Sequence, residues 1–368
     1  MDPYGIDLAA CRGRQQRVLK VMQEARLDLL IVTQIEHVQW LAGPQFRWVF
    51  QPAAALTADG RLLLVAPNKP PETAAADEIA TYEAQWHSTL RNDQREASCE
   101  VLKKLLAALP TPKRIGMEGS SFPLPLCSAA PDGEWIDMEP DLYRLRRRKD
   151  ADELARLRKA IAATGKMYET ARAMIEPGVN ELDVFNALQS TAVRELGEML
   201  TCTGNDYQCC SRGGPPRDRQ AKAGELYILD LGPAFRGYHA DNCRTIAVTE
   251  ASEAQQEAWR HVTAVLAMVK EKAKPGGSPR ALFEEAQKML DAAPLGVFNH
   301  HLGHGIGLFP HEAPHLNPHW DDTFEVGDVF TAEPGLYAPE LAAGMRIEND
   351  FLVTENGVEV LSDFPLEL

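Results

Sequence analysis

Two acidic residues stand where acids are poorly tolerated. Asp230 lies inside the apolar run YILDL, and Glu333 closes the apolar run FTAE. Asp and Glu are poor strand formers, so an acid in a buried strand has a reason outside the strand. A buried carboxylate must be paired, hydrogen-bonded or bound to a cation. Asp241, in HADNCRTIAV, and Glu348, in RIENDFLVT, are two more acids at the heads of apolar strands. Four carboxylates brought together could not all stay ionised without cations. Two divalent ions would balance four negative charges, and a bridging hydroxide would leave the cluster close to neutral. That count favours a pair of metals over one. Six of the ten histidines lie between residues 300 and 319: His300, His301, His304, His311, His315 and His319. Glycines flank His304 in GHGIG, which allows close backbone approach. One imidazole from this group suits a nitrogen ligand beside carboxylate oxygens, and the others are expected in ordinary core or surface roles.

The elements that must carry these acids form an internal repeat. MIEPGVNELDVFNALQ (174–189) matches KAKPGGSPRALFEEAQ (272–287) at a constant offset of 98 residues, pairing Pro177 with Pro275 and Gly178 with Gly276. Each copy reads as a helix, a Pro-Gly turn and a second amphipathic helix. The repeat continues into strands. Aligning Gly224 with Gly327 sets Asp230 on Glu333, and the next strands set Asp241 on Glu348. The offset grows from 98 to 103 to 107, as loop insertions allow. Each half thus offers two carboxylates at matching places.

The first 140 or so residues read differently. A helix is expected at 13–26, a buried strand at 29–33, two strands joined by an Asp59-Gly60 turn at 55–67, a helix at 96–108 and a short strand at 113–118. That is a compact α/β unit. The basic stretch Arg144, Arg146, Arg147, Arg148 and Lys149, set beside Asp150, Asp152 and Glu153, is expected to be a solvated linker entering a helix.

Composition bounds the function. The 368 residues are 45% hydrophobic and 25% charged, ordinary globular material for about two domains. A net charge of −15 disfavours nucleic acid or an anionic membrane as a main partner. The N-terminal stretch has no apolar segment of a secretory signal, and no apolar run reaches the roughly 18 residues of a membrane span. Seven cysteines at scattered spacings fit a reducing cytoplasm better than a disulfide framework.

The segments ILDLGPAFRGYHADNCRT, HLGHGIGLFPHEAP, FTAEPGLY and GMRIENDFLVT resemble those of the pita-bread metallopeptidases: Xaa-Pro aminopeptidases, prolidases and methionine aminopeptidases. The resemblance covers nearly the whole chain. It implies an α/β creatinase-like N-terminal domain (1–146), followed by an α+β pita-bread catalytic domain (147–368) with a pseudo-twofold repeat. It implies that Asp230 chelates one metal, that Asp241 and Glu348 bridge both, and that His304 and Glu333 complete the other site. By the same resemblance Glu333 shuttles a proton, His311 hydrogen-bonds the substrate carbonyl or the tetrahedral intermediate, and the protein is a homodimer. Arg346 precedes Glu348 by two residues and so points to the same strand face. It could orient the carboxylates or meet a substrate carboxylate. Oxygen-rich ligation with one imidazole suits Mn²⁺, with Co²⁺, Fe²⁺ or Zn²⁺ as alternatives.

One feature of the pattern is missing. The family places a histidine upstream of the first metal strand, near Ser211, Arg212 or Gly213 here, and none is present. Arg212, Tyr207 or an arginine of RDR (217–219) are the available substitutes. The expected activity is an exopeptidase on short Xaa-Pro peptides, of the aminopeptidase P or prolidase type. A metal-dependent hydrolase or lyase of a small non-peptide amide is the alternative, and an inactive binding module a third.

Overall fold

The computed structural model describes residues 2–47 and 49–368. The chain divides into two compact units, Met1–Arg146 and Arg147–Leu368.

The first unit is built on a six-stranded mixed sheet. Helix α1 (Leu8–Glu24) begins earlier than its hydrophobic pattern suggests, because the Asp7 side chain accepts from the Ala10 amide and caps it. Strand β1 (Leu29–Val32) is buried on both faces. After α2 (Ile35–Ala42) come β2 (Ala53–Thr57) and β3 (Leu62–Pro67), joined through Asp59 and Gly60. Gly60 takes a φ of +91°, which glycine adopts without steric cost. Then follow β4 (Glu78–Tyr82), α3 (Gln94–Leu106), β5 (Arg114–Met117), β6 (Glu134–Asp137) and α4 (Glu139–Arg146). The sheet order is β4-β3-β2-β1-β5-β6, and α3 packs Leu102 and Leu106 into one apolar core over it.

The second unit repeats a helix pair on an antiparallel strand pair. Helices α5 (Ala151–Met174) and α6 (Glu181–Leu196) lie on a sheet ordered β7 (Asp206–Cys209), β8 (Leu226–Leu231) and β9 (Asn242–Ala247). Helices α7 (Glu253–Lys272) and α8 (Pro279–Asp291) pack beside a five-stranded sheet containing β10 (Gly303–Gly305), β11 (Glu312–Leu316), β12 (Val329–Ala332) and, after the short strand β13 (Met345–Arg346), β14 (Asn349–Thr354). The matched glycines of the two Pro-Gly turns both take positive φ, +95° at Gly178 and +78° at Gly276. Strand β8 pairs antiparallel with β9, as β12 does with β14. The halves are joined at the site itself, where the Glu348 amide donates to the Cys243 carbonyl at 2.9 Å.

The basic stretch is not a solvated linker. Arg146, Arg147 and Lys149 are buried. Arg147 makes a two-pronged bond to Asp328, at 3.0 and 2.7 Å, and Lys149 pairs with Glu312 at 3.1 Å. The compensating acids lie over 160 residues away in sequence, so adjacent Asp150 and Asp152 gave no hint of them. Among the described residues, no helix is long and apolar enough to cross a membrane.

Candidate metal centre

Four strand ends deliver the acids to one place. Asp230 is the penultimate residue of β8, and Glu333 follows the last residue of β12. Asp241 and Glu348 each immediately precede the second strand of their half. His304 sits in β10, which pairs with β12 through Gly305 and Phe330. The glycines flanking His304 allow that approach: a Cβ on Gly303 would lie 2.0 Å from the Thr331 carbonyl oxygen, and one on Gly305 2.1 Å from that of Ala313.

All five side chains are buried, Glu348 completely. Ligand atoms of Asp230, Asp241 and Glu348 lie within 4.8 Å of one another, and so do those of His304, Glu333 and Glu348. Glu348 belongs to both groups. His304 Nε2 lies 3.5 Å from Asp241 Oδ2 and 3.7 Å from Glu333 Oε1. Several buried oxygens here have no hydrogen-bond partner: Asp230 Oδ1, Asp241 Oδ1 and both Glu348 carboxylate oxygens. Buried oxygens are rarely left without partners, and four of them converging is what a cation cluster requires.

The electrostatics point the same way. Burial, reinforced by the charges of Asp230 and Glu333, holds the Asp241 carboxyl well above its usual range. Burial and the charge of Asp241 do the same to Glu348. Asp230 is also raised by burial, although Arg346 opposes the shift. Without cations these acids would take up protons; with cations they are ligands. Burial lowers His304 to about 3, which leaves its ring neutral and able to coordinate. Its Nδ1 lies 3.0 Å from the Gly305 carbonyl, an arrangement that, with Nδ1 protonated, turns Nε2 toward the acids. The donor set therefore fits two divalent ions of the kind that accept oxygen and imidazole ligands.

The other expected residues are placed as follows. Arg346 Nη2 donates to Asp230 Oδ2 at 2.7 Å and also contacts Asp206, while Nε lies 3.8 Å from Glu333. Its Nη2 is thus engaged by carboxylates, Nη1 meets the Arg212 carbonyl and the Tyr337 hydroxyl, and Nε has no hydrogen-bond partner. His311 is exposed and stacks on His304, with ring centres 3.7 Å apart and 10° between planes. His315 lies away from the acids, paired with Asp322 at 2.8 Å and stacked on Trp320.

Several neighbours were not anticipated. His301 Nε2 meets Glu333 Oε1 at 2.9 Å. Burial works against protonation of His301, yet the bond to Glu333 raises it on balance. Glu333 in turn is held at about 2: burial would raise it, but His301, His304 and Arg346 outweigh burial. Asp206 stands opposite Asp230 in the β7–β8 register. Of the residues considered in place of the missing histidine, Arg212 lines the cavity. Tyr207 instead turns its hydroxyl to Thr203, and Arg217 and Arg219 pair with Glu181 and Glu225. The cavity measures about 320 Å³ and is lined by all five acids or imidazoles of the cluster together with His300, His301, His311, Arg346 and Tyr337.

Residues 155–355, more than half of the chain, match the profile of metallopeptidase family M24. The chain belongs to that family. Residues 14–148 match the creatinase/prolidase N-terminal domain. An uncharacterised peptidase of Staphylococcus epidermidis is 32% identical over 233 residues, which is 62% of this chain and 66% of the relative. The match to curated relatives thus spans just under two thirds of their length. The prolidase of Pyrococcus horikoshii superposes with a TM-score of 0.82 over 97% of this chain and 99% of that one, at 24% identity. The Xaa-Pro dipeptidase of Bacillus anthracis gives 0.82 over the same shares at 25% identity. Aminopeptidase P of E. coli gives 0.80 over 97% and 95%, at 19% identity. The fold of the M24 chain is accordingly the pita-bread fold preceded by a creatinase-like domain.

Proposed function

We propose that this M24 chain is a metal-dependent exopeptidase acting on short peptides, with Xaa-Pro bonds as its substrate class. One observation carries the reading: two groups of buried ligand atoms share Glu348, with four unpartnered oxygens between them. Asp230, Asp241 and Glu348 would hold one divalent ion, and Asp241, His304, Glu333 and Glu348 the other. The pair of ions, Mn²⁺ in the first instance, would supply Lewis acidity and an acidified water nucleophile. The protein's own part is to hold, orient and move protons. Arg346 fixes Asp230 through its 2.7 Å bond. Glu333, bonded to His301 at 2.9 Å, would pass a proton to the departing amine, with His301 tuning its basicity. His311, stacked on His304 at the cavity wall, would donate to the substrate carbonyl oxygen. The names of the solved structures of like fold support the Xaa-Pro class.

The test is direct. Protein loaded with Mn²⁺ is expected to bind two ions per chain and to release the first residue from Xaa-Pro peptides. Asp241→Ala is expected to lose both ions' full occupancy and activity by a factor of at least about 10³, as loss of a bridging ligand dismantles both sites. A panel of Xaa-Pro dipeptides, longer Xaa-Pro peptides and small non-peptide amides separates the options. Absence of bound metal, with wild type and Asp241→Ala equally inert on every peptide, sinks the proposal.

A further inference from the structure

The cavity contains a second guanidinium with a different environment from Arg346. Arg346 is engaged with Asp206 and Asp230. Arg212 has no carboxylate partner among the described residues. Its Nη2 donates to the neutral Asn299 side chain at 2.6 Å, and its guanidinium carbon sits 4.0 Å from the centre of the Tyr337 ring. Stacking uses the face of a guanidinium and leaves the N–H groups on its edge free to bind in a plane. That edge is the fork that matches a carboxylate.

The loop that carries Arg212 is fixed in advance. Its carbonyl oxygen accepts from Arg346 Nη1 at 3.3 Å. Two residues on, the Gly214 amide donates to Asp206 Oδ1 at 2.6 Å. Gly213 has a φ of +145°, and a Cβ there would lie 2.3 Å from the Asp206 carboxylate. Arg346 and Asp206, the pair that braces Asp230, therefore brace this loop as well. Tyr337 completes the frame, its hydroxyl meeting His300 at 3.0 Å and Arg346 at 3.3 Å. An arginine held this way loses little freedom when it binds an anion. The cavity's volume of about 320 Å³ lies at the small end of ligand sites. A substrate of that size places its own terminus inside the cavity.

We infer that Arg212 is a specificity-determining residue that takes the free C-terminal carboxylate of a dipeptide, making the chain a dipeptidase in preference to an enzyme of longer peptides. The inference rests on the peptidase reading above and names the substrate end that reading leaves open.

The experiment compares wild type, Arg212→Ala and Arg212→Lys, all loaded with Mn²⁺. Turnover is measured on Ala-Pro and on its C-terminal amide. Binding is measured by calorimetry with N-acetyl-L-proline and N-acetyl-L-prolinamide, which differ only in the carboxylate. A charge-assisted pair predicts an acid-over-amide preference of about 10- to 100-fold in wild type, in both kcat/KM and binding. In Arg212→Ala that ratio collapses toward one, and Arg212→Lys, with charge but no fork, keeps part of it. Equal handling of acid and amide by wild type, no binding of either acetyl compound, or a preference that survives Arg212→Ala overturns the inference. If no peptide is cut but N-acetyl-L-proline is still preferred through Arg212, the carboxylate site stands and the peptidase reading falls.

Discussion

At the scale of single residues, the centre is a place where folding and function want opposite charges. Glu348 is completely buried, both its oxygens lack hydrogen-bond partners, and Asp241 stands beside it. In the metal-free protein each such acid must carry a buried charge or take up a proton that it would not hold when unfolded, and either opposes folding at neutral pH. Glu348→Gln keeps the shape and removes the need for either. It is expected to stabilise the metal-stripped protein by on the order of 1–3 kcal/mol. Such a gain raises Tm by roughly 2–4 °C per kcal/mol in a unit of this size. In Mn²⁺-loaded protein the same change removes a shared ligand and lowers Tm. Thermal melts with chelator and with Mn²⁺ check the opposite signs; a variant less stable in both states would show that Glu348 is satisfied without cations. The five proposed ligands were legible in sequence as candidates because their chemistry is conspicuous: acids inside apolar strands and a histidine between glycines. Asp206 and the pairing of His301 with Glu333 were not, and Arg212 was legible only as one of several substitutes for the missing histidine. Asp206 reaches Asp230 only through the register of β7 on β8, and neither strand's pattern specifies that register.

At the scale of elements, the repeat was the most legible feature, since its Pro-Gly turns and helix faces are local signals. What it could not reveal was how closely the strands around His304 approach. Gly305 faces the Ala313 carbonyl where a Cβ would come within 2.1 Å, and that obstacle is backbone, which cannot rotate away. Gly305→Ala is expected to cost about 1–3 kcal/mol by overpacking. The strain falls beside His304, so the ion it helps to hold should be lost first. Metal analysis is expected to find the count falling from two toward one per chain. A variant with wild-type melting and both ions would mean that β10 and β11 part freely. The basic stretch at 144–149 teaches the converse lesson. Its neighbours in sequence suggested solvation, yet Arg147 and Lys149 are buried against Asp328 and Glu312. Charge runs are legible as charge, but the partner that buries them is set by tertiary contact.

At the scale of the whole molecule, a chain with 53 acids against 38 Lys and Arg changes its charge balance steeply as the pH falls. Most exposed acids contribute little to that response, because their carboxyls differ little between folded and unfolded states. Glu139, in the first unit and not among the proposed metal ligands, is different. It is buried, and burial alone would raise its carboxyl. The Ser120 amide and hydroxyl, the Tyr143 hydroxyl and the Gln34 amide all donate to it and hold it at about 2. A carboxyl depressed in the folded state stabilises fully above its unfolded value, near 4.5. That contribution is lost as pH falls from there through about 2. Over that window the loss is on the order of 2–3 kcal/mol. Glu139→Gln cannot ionise, so its stability should lack this component. Urea denaturation of both proteins from pH 6 to pH 2.5, with chelator present so that metal loss is common to both, is expected to show wild type more stable at pH 6 and the gap closing by pH 2.5. A gap of constant size across that range would assign Glu139 a packing role alone, and the acid sensitivity of the first unit would then lie in another group.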